Sequence, residues 1–260
     1  MLIGAMNHPT RDVLDEIAWM AEMGLDFIDL TLEPPKAASW KVKPPVICKA
    51  LERHSLQVVG HTAYYLPLAS AIEELRQAAL AELRRCLEVF GAIGAQWMNI
   101  HPDRHTPMHE RHFLIKRNLE SLRELLPHAQ RCGVGLMIEN VPGDFNNAAQ
   151  LAELLNPLPE LGLHLDIAHA NLQVPRSTVE EILAAHGQRL RHVHLHDNKG
   201  GHADLHLPLG TGTVDVSRAL KALRARGYDG TITLEVFSPD RGYLAYSRDR
   251  LRQMWGEATG

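Results

Sequence analysis

Short apolar and β-branched runs alternate with longer segments of helical period from one end of the chain to the other. This alternation is typical of repeated βα units, in which each helix returns the chain to the next parallel strand. Eight units can be distinguished. The predicted strands are Leu2–Ala5, Phe27–Leu32, Gln57–His61, Trp97–His101, Gly135–Asn140, Gly162–Asp166, His192–Asp197 and Thr231–Phe237.

The segments between these strands carry helix signals. In IEELRQAALAELRRCLEVFGAIGA, apolar residues recur at spacings of three and four, and Gly91 and Gly94 mark the expected end. Pro44 and Pro45 indicate the start of an earlier helix. No low-complexity linker divides the chain, so the pattern predicts one α/β domain over residues 1–260, a single (β/α)8 TIM barrel. An open doubly wound sheet is the alternative, but no glycine-rich phosphate loop follows the first strand.

Composition narrows the class of protein. A chain of 260 residues, 45% of them hydrophobic, is close to the roughly 250 residues of one such barrel. The net charge of -4 disfavours nucleic acid as a partner, although a local basic patch stays open. The three cysteines are far apart and are expected to be reduced, in a cytoplasmic protein. No apolar stretch reaches the roughly 18 residues of a membrane span. A homo-oligomer is compatible with the sequence, which does not determine the oligomeric state.

Sixteen histidines stand out in this composition, and several fall at strand ends. Side chains alternate faces along a strand, so the last residue facing the barrel interior lies at the rim where barrel enzymes place their active sites. This rule selects His61, His101, Glu139, Asp166, His194 and Glu235. All six are residue types that bind divalent metal ions.

Three loop residues, His169, Asp204 and His206, extend this set to nine. A single rim histidine is more often a packing residue than a ligand. Six successive strands ending in ligand-type residues are harder to explain by packing, because carboxylates that face one interior need a counter-charge. Nine ligands exceed the capacity of one ion, so two or three metals are implied if all are used. Nitrogen and oxygen donors suit zinc, manganese, iron or cobalt.

Other polar residues near the predicted rim are candidates for contacts with a substrate. His196 shares the alternation of His194 and is expected to support a ligand or touch substrate, and His192 is expected to be a buried interior residue. The substrate-contact candidates are Arg104, His196, Lys199 and Tyr64, with His105, Arg241, Tyr65 and Trp40 as further possibilities.

Seven motifs together resemble the xylose isomerase-like superfamily, which includes sugar phosphate isomerases and epimerases as well as the endonuclease IV family (AP endonuclease family 2). The motifs are HTAYYLPLA, NIHPDRH, IENVPGD, LDIAHA, HVHLHDNKG, DLHLPLGTG and TLEV, and they cover nearly the whole chain from His61 onward.

The two branches imply different metal sites. Resemblance to endonuclease IV implies three zinc ions. The first would be held by His61, His101 and Glu139, the second by Glu139, Asp166, His194 and Glu235, and the third by His169, Asp204 and His206. Resemblance to the sugar enzymes implies one ion on Glu139, Asp166, His194 and Glu235. The glutamates Glu139 and Glu235 would then act as acid and base, and His169 would touch substrate.

Departures from the endonuclease pattern disfavour DNA as a substrate. GAMNHPT replaces a GAHVS-like start, VPGDFNN replaces a glycine-rich stretch, and the NKGGHAD loop is shorter. Asp103 and Leu207 stand where that family has glycine and histidine. The sequence therefore favours metal-dependent isomerisation or epimerisation of a small sugar or sugar phosphate. The alternatives are phosphoester hydrolysis at a trinuclear zinc site and a metal-dependent binding protein without chemistry.

Overall fold

The structure is a computed structural model that describes residues 1–104, 106 and 108–258. Its eight strands close into one parallel barrel in the order β1 to β8. The strands are β1 Leu2–Met6, β2 Phe27–Leu32, β3 Gln57–Thr62, β4 Trp97–Ile100, β5 Gly135–Glu139, β6 Gly162–Asp166, β7 Leu190–Leu195 and β8 Thr231–Leu234. The predicted (β/α)8 barrel is confirmed, and the strand bounds differ from the predicted ones by at most three residues.

A helix follows each strand. The helices are α1 Val13–Glu22, α2 Pro44–His54, α3 Glu73–Ala92, α4 Arg111–Cys132, α5 Ala148–Leu155, α6 Val179–His186, α7 Val216–Ala225 and α8 Gly242–Glu257. Pro44 begins α2, as predicted. Among the described residues, no helix combines the length and the apolar character needed to cross a membrane.

The glycines at the end of α3 have two different roles. Gly94 has a φ of +79°, the left-handed conformation expected of a helix stop. Gly91 was predicted to mark the same stop, but it lies inside α3. A Cβ atom there would lie 2.6 Å from the backbone oxygen of Cys132 at the end of α4. Gly91 is therefore needed for close packing between the two helices rather than for ending one of them.

The chain divides into two compact units, here called unit one and unit two. Unit one comprises Met1–Ala5, Asn140–Leu151 and Leu163–Gly260, and unit two comprises Met6–Glu139 and Ala152–Gly162. That a single domain extends over residues 1–260 stays a prediction.

In unit two, β2 is buried along its whole length and pairs in register with β3, from Phe27 opposite Gln57 to Leu32 opposite Thr62. Phe90 of α3 is fully buried, and a Cβ atom at Gly60 would lie 2.9 Å from its ring. The small residue in β3 thus lets α3 pack closely beside the strand. This packing positions His61, the residue that follows Gly60.

In unit one, β6, β7 and β8 pair side by side. The register shifts between Leu163 and His164, which places Asp166 directly opposite His194. His194 in turn lies opposite Thr233 of β8. A bulge of this kind re-aims the side chains that follow it. The result is that the polar ends of three neighbouring strands lie at the same level.

Candidate metal centre

In unit two, three predicted ligands form a group that we call the His61 cluster: His61, His101 and Glu139. One donor atom from each lies within 4.8 Å of the other two. Nε2 of His101 lies 3.0 Å from Oε2 of Glu139, and the rings of His61 and His101 meet edge to face at 5.0 Å. Asn99, which is not among the predicted site residues, donates to the same Glu139 oxygen at 2.6 Å. The cluster matches the set implied for the first ion.

In unit one, the remaining predicted ligands and His196 form a second group, which we call the Asp166 cluster: Asp166, His169, His194, His196, Asp204, His206 and Glu235. Nδ1 of His194 lies 3.4 Å from Oε2 of Glu235. Nε2 of His169 and Nε2 of His206 lie 3.0 and 3.2 Å from Oδ2 of Asp204. The chain therefore brings the predicted ligands of the loops and of the strand ends together in this unit.

His196 lies among the predicted ligands of unit one. It was predicted to support a ligand or touch substrate, which stays a prediction, and it is fully buried inside the Asp166 cluster. Its Nε2 lies 3.6 Å from Asp166, 3.5 Å from Asp204 and 3.9 Å from Glu235, in each case measured to a carboxylate oxygen. Strand alternation alone could not distinguish these roles, because His196 lies beyond the last residue of β7.

The loop that carries Asp204 and His206 is held by a buried carboxylate. Beyond β7, Asp197 pairs with Leu207 in an antiparallel bridge. The Asp197 side chain accepts hydrogen bonds from the backbone N–H groups of Gly210, Gly212 and Val214 at 2.8 to 3.1 Å. Because one side chain bonds the backbone at three points, these contacts fix the path of the loop.

Two buried asparagines hold the segment around His169. Asn140 accepts the N–H of Asp166 at 2.7 Å through Oδ1 and donates to the Asp166 carbonyl at 2.9 Å. Asn146 donates to the carbonyl oxygens of His169 and Leu172 at 2.8 and 3.0 Å. Both side chains are almost fully buried. Ligand-type residues at this position are thus supported by a network of satisfied hydrogen bonds.

The charges in the Asp166 cluster perturb one another. Burial opposes ionisation of Asp204, but hydrogen bonds from His169 and His206 outweigh it and lower the pKa of the carboxyl. Burial also opposes ionisation of Glu235, while the neighbouring His194 lowers the pKa of that carboxyl. Burial opposes protonation of His206, but Asp204 and Glu235 raise its pKa overall. The cluster therefore favours ionised carboxylates, which are the form that binds a cation.

The donor atoms present fit a divalent metal ion. Nε2 of His196 and Oε2 of Glu235 are buried, and neither makes a hydrogen bond of good geometry to any described residue. Buried polar atoms whose contacts are long or poorly aligned are incompletely satisfied, and a bound cation would complete their interactions. The donors are imidazole nitrogens and carboxylate oxygens without thiolate, a set that suits zinc or manganese.

The predicted substrate contacts are more exposed. Tyr64 is 68% exposed, and its ring meets that of His101 edge to face at 6.4 Å. Arg104 and Lys199 are also exposed. His105 lies outside the described residues.

Tyr65, next to Tyr64, is bound to a carboxylate: its hydroxyl donates to Glu33 at 3.0 Å. Burial and the Glu33 carboxylate raise the pKa of Tyr65 to about 12.

One interior histidine, His164, is not among the predicted site residues. His164 of β6 lies against His194, with ring centroids 4.0 Å apart, and against His192 at 4.8 Å. His192 is buried, as predicted, with its ring nitrogens 2.7 and 3.0 Å from the hydroxyls of Thr231 and Thr233. The alternation that selected Asp166 also places His164 on the interior face, and that signal could have revealed it.

Comparison with solved structures supports the same fold. A D-tagatose 3-epimerase-like protein has a TM-score of 0.89 at 22% identity, over 100% of this chain and 98% of that one. A D-allulose 3-epimerase from Methylomonas sp. has a TM-score of 0.80 at 21% identity, with 98% of each chain covered. A protein of Thermus thermophilus, from a crystal soaked with ZnCl2, has a TM-score of 0.75 at 25% identity, with 99% of each chain covered.

Sequence comparison identifies the family. A curated relative, an uncharacterised protein of Methanocaldococcus jannaschii, is 27% identical over 194 residues. The match covers 71% of this chain and 66% of that protein, just under two thirds of its length. Residues 17–254 match the family model described as xylose isomerase-like TIM barrel. Because this match extends over most of the chain, the protein belongs to the xylose isomerase-like TIM barrel family.

Proposed function

We propose that the protein is a divalent-metal-dependent epimerase or isomerase of a small sugar or sugar phosphate. The observation that carries the proposal is the Asp166 cluster, in which buried carboxylates and imidazoles converge at and just beyond the ends of β6, β7 and β8. The similar solved structures include a D-allulose 3-epimerase, an L-ribulose 3-epimerase and a 3-keto-D-glucoside 4-epimerase from E. coli. The activities of these proteins support a sugar substrate for this chain.

We assign the metal of the reaction to Asp166, His194, Glu235 and Glu139, the set implied by resemblance to the sugar enzymes. When bound, the ion would polarise a carbonyl and a neighbouring hydroxyl of the sugar and so acidify the hydrogen on the adjacent carbon. Zinc and manganese both suit these donors. With the other predicted ligands, His61, His101, His169, Asp204 and His206, the chain would hold one to three ions.

We assign proton transfer to Glu139 and Glu235. Each carboxylate has two oxygens, so one can serve the metal while the other takes or returns the proton on carbon. Oε2 of Glu235 is buried and makes no hydrogen bond of good geometry to a described residue, which leaves it available for either task. Burial excludes water that would otherwise quench a carbanion. For His169, the sequence leaves two roles open, contact with substrate and metal binding.

The exposed residues suit recognition of the rest of the substrate. Tyr64 offers a ring and a hydroxyl to a sugar, and Arg104 and Lys199 offer charge to a phosphate.

We also propose a cytoplasmic location, because Cys48, Cys86 and Cys132 are free thiols.

The test is exchange of carbon-bound hydrogen. We would incubate the protein with D-tagatose, D-allulose and L-ribulose, and with ketose phosphates, in D2O, and follow deuterium incorporation and epimer formation by NMR. Incorporation that stops on chelation and returns with zinc or manganese is the expected result. Metal-replete protein that exchanges no hydrogen in any of these sugars would contradict the proposal.

The second candidate is phosphoester hydrolysis at a trinuclear zinc site, as in endonuclease IV. The observation that favours it is that all nine residues of that ligand set are present, and that eight of them lie within hydrogen-bonding or ion-pair distance of another member. Cleavage of a duplex that contains an abasic site, with three tightly bound zinc ions per chain, would support it. The net charge of -4 and the departures in three loops weigh against DNA as the substrate.

A further inference from the structure

Three histidines of the Asp166 cluster share one orientation. Nδ1 of His169 lies 2.9 Å from the Asn140 carbonyl oxygen, Nδ1 of His206 lies 3.1 Å from the Glu235 carbonyl oxygen, and Nδ1 of His196 lies 3.3 Å from the Asp197 carbonyl oxygen. A carbonyl oxygen only accepts, so Nδ1 carries the hydrogen in each ring. Nε2 is then the ring nitrogen that faces the other members of the cluster and the one that would bind a metal ion. A metal-binding histidine usually has this arrangement, with its other nitrogen donating to a carbonyl or carboxylate.

The three Nε2 atoms all approach the same carboxylate. They lie 3.0 Å, 3.2 Å and 3.5 Å from an oxygen of Asp204, for His169, His206 and His196 in that order. Two ligand atoms bound at about 2.0–2.1 Å to a tetrahedral zinc ion are separated by roughly 3.3 Å. The measured separations bracket that value. The two shorter distances are also within hydrogen-bonding range, whereas Nε2 of His196, at the longest distance, makes no hydrogen bond of good geometry to a described residue.

The position of His196 suits a metal ligand. Its Nε2 is fully buried, makes no hydrogen bond of good geometry to a described residue, and faces oxygens of Asp166, Asp204 and Glu235. A ring nitrogen of His196 also lies within 4.8 Å of donor atoms of Asp166 and His169, and within 4.8 Å of donor atoms of His206 and Glu235. Donor atoms that converge in this way are the arrangement that a bound cation requires.

We propose that His196 is a metal ligand, and that it closes the coordination of the ion held by His169, Asp204 and His206. The ligand sets implied by the family resemblance leave that ion with three protein ligands, and His196 would be the fourth. The inference rests on the proposed metal-dependent function and assigns His169 to metal binding.

The addition changes what this ion can do. Structural zinc sites have four protein ligands, whereas catalytic sites keep a position open for water or substrate. A closed ion cannot bind a phosphate oxygen, so this ion would hold the Asp204 loop in place. The reaction would then belong to the ion of Asp166, His194 and Glu235. This distribution of roles favours sugar chemistry over phosphoester hydrolysis.

The test compares His196→Gln with His186→Gln. His186 is a buried histidine of the same unit, at the end of α6, with Nε2 bound to the Ala148 carbonyl, and it has no place in the cluster. We expect mass spectrometry of the purified proteins to show one metal ion fewer per chain in His196→Gln, and chelator competition to show a site weakened by about 100-fold or more. His186→Gln should match the wild type. Unchanged metal content and affinity in a folded His196→Gln would overturn the inference.

A second variant covers the case in which His196→Gln fails to fold. In cobalt-substituted His196→Cys, a thiolate-to-cobalt charge-transfer band should appear in the near ultraviolet, because the side chain at position 196 contacts the ion. His186→Cys should show no such band. Absence of the band in a cobalt-loaded His196→Cys overturns the inference while the wild type still binds metal. A wild type that binds no metal would instead overturn the proposed function, so the two failures are distinguishable.

Discussion

The Nδ1 atom of His169 lies 2.9 Å from the carbonyl oxygen of Asn140, and this contact determines which nitrogen of His169 faces Asp204. The same asparagine fixes Asp166 through its side chain, by accepting from the Asp166 N–H and donating to the Asp166 carbonyl. Asn140 thus orients two of the candidate ligands. Its backbone carbonyl orients His169, and its side chain orients Asp166.

Asn140→Ala should therefore weaken metal binding without removing a ligand. The substitution leaves the buried N–H of Asp166 without its acceptor, which costs about 1–3 kcal/mol of unfolding free energy. Loss of ligand support typically lowers metal affinity about 10–100-fold. Urea unfolding and chelator competition measure the two effects. Asn140→Asp keeps the acceptor and should retain more affinity than Asn140→Ala. Equal affinity in Asn140→Ala and wild type would contradict the assigned support.

Glu139→Gln and Glu235→Gln should each abolish epimerisation but preserve different exchange reactions. If the two glutamates serve opposite faces of the carbon, each single variant keeps one base and can still exchange the hydrogen of one epimer with solvent. Net epimer formation should fall about 10²–10⁴-fold, the usual contribution of a positioned acid or base. NMR in D2O, started from each epimer separately, measures exchange and inversion together. Bound metal must be quantified in both variants, and wild-type epimerisation in either one would refute the assignment.

Zinc or manganese should stabilise the folded protein. Ionised carboxylates crowd the Asp166 cluster, and a ligand that binds only the folded state adds about 2.7 kcal/mol at a concentration 100 times its Kd. We expect the thermal midpoint to rise with added metal and to fall after dialysis against a chelator. Asp204→Asn, which removes a candidate ligand, should respond less than the wild type. A midpoint that does not respond to any divalent ion in the wild type would count against a metal centre.

Gly212→Ala should destabilise the loop that carries Asp204 and His206. A Cβ atom at Gly212 would lie 2.1 Å from the Asn198 carbonyl oxygen and 2.3 Å from the Asp197 carboxylate. Overpacking of this kind typically costs about 1–3 kcal/mol, and here the neighbour is backbone that cannot rotate away. Gly256→Ala is the control. Among the described residues, apart from the adjacent residues and the backbone of α8 itself, no atom lies within 4 Å of the Cβ position at Gly256. Alanine also favours a helix by about 0.5–1 kcal/mol relative to glycine. The two variants should shift the urea midpoint in opposite directions.

The strand positions, and the polar residues that meet at the strand ends, were predictable because a buried parallel strand has a simple signature. That these residues bind metal stays a prediction. Asp166 and His194 lie in strands, where alternation determines the interior face. His196 was predictable as interior but not as a neighbour of Asp204, because the chain leaves β7 and turns back through the Asp197–Leu207 bridge. Contacts made by such a loop depend on its three-dimensional path. The backbone hydrogen bonds that the Asp197 carboxylate accepts from this loop have no periodic signal in the sequence.

The last prediction concerns acid stability and a buried cation outside the metal centre. Arg76 of α3 is only 5% exposed and bonds Glu73 at 2.6 Å and Glu124 of α4 at 2.8 Å. Hydrogen bonds from Arg76 and Arg117 lower the pKa of Glu73. Burial opposes ionisation of Glu124, but Arg76 outweighs it and lowers that pKa as well.

A carboxyl whose pKa is lower in the folded state stabilises the protein above its unfolded pKa of about 4.3, and the contribution is lost as the pH falls through the folded pKa. Wild-type unfolding free energy should therefore decline from about pH 5 downward, and Arg76→Met should flatten that decline because it removes the shared cation. Urea unfolding across this range measures both slopes. Arg218→Met is the control, because it removes the cation of an exposed ion pair with Glu180. Salt screens an exposed pair, so at high ionic strength Arg218→Met should change the acid slope less than Arg76→Met does. If the unfolding free energy of Arg76→Met and of the wild type fell equally with pH, the contacts of Arg76 with Glu73 and Glu124 would not contribute to acid stability.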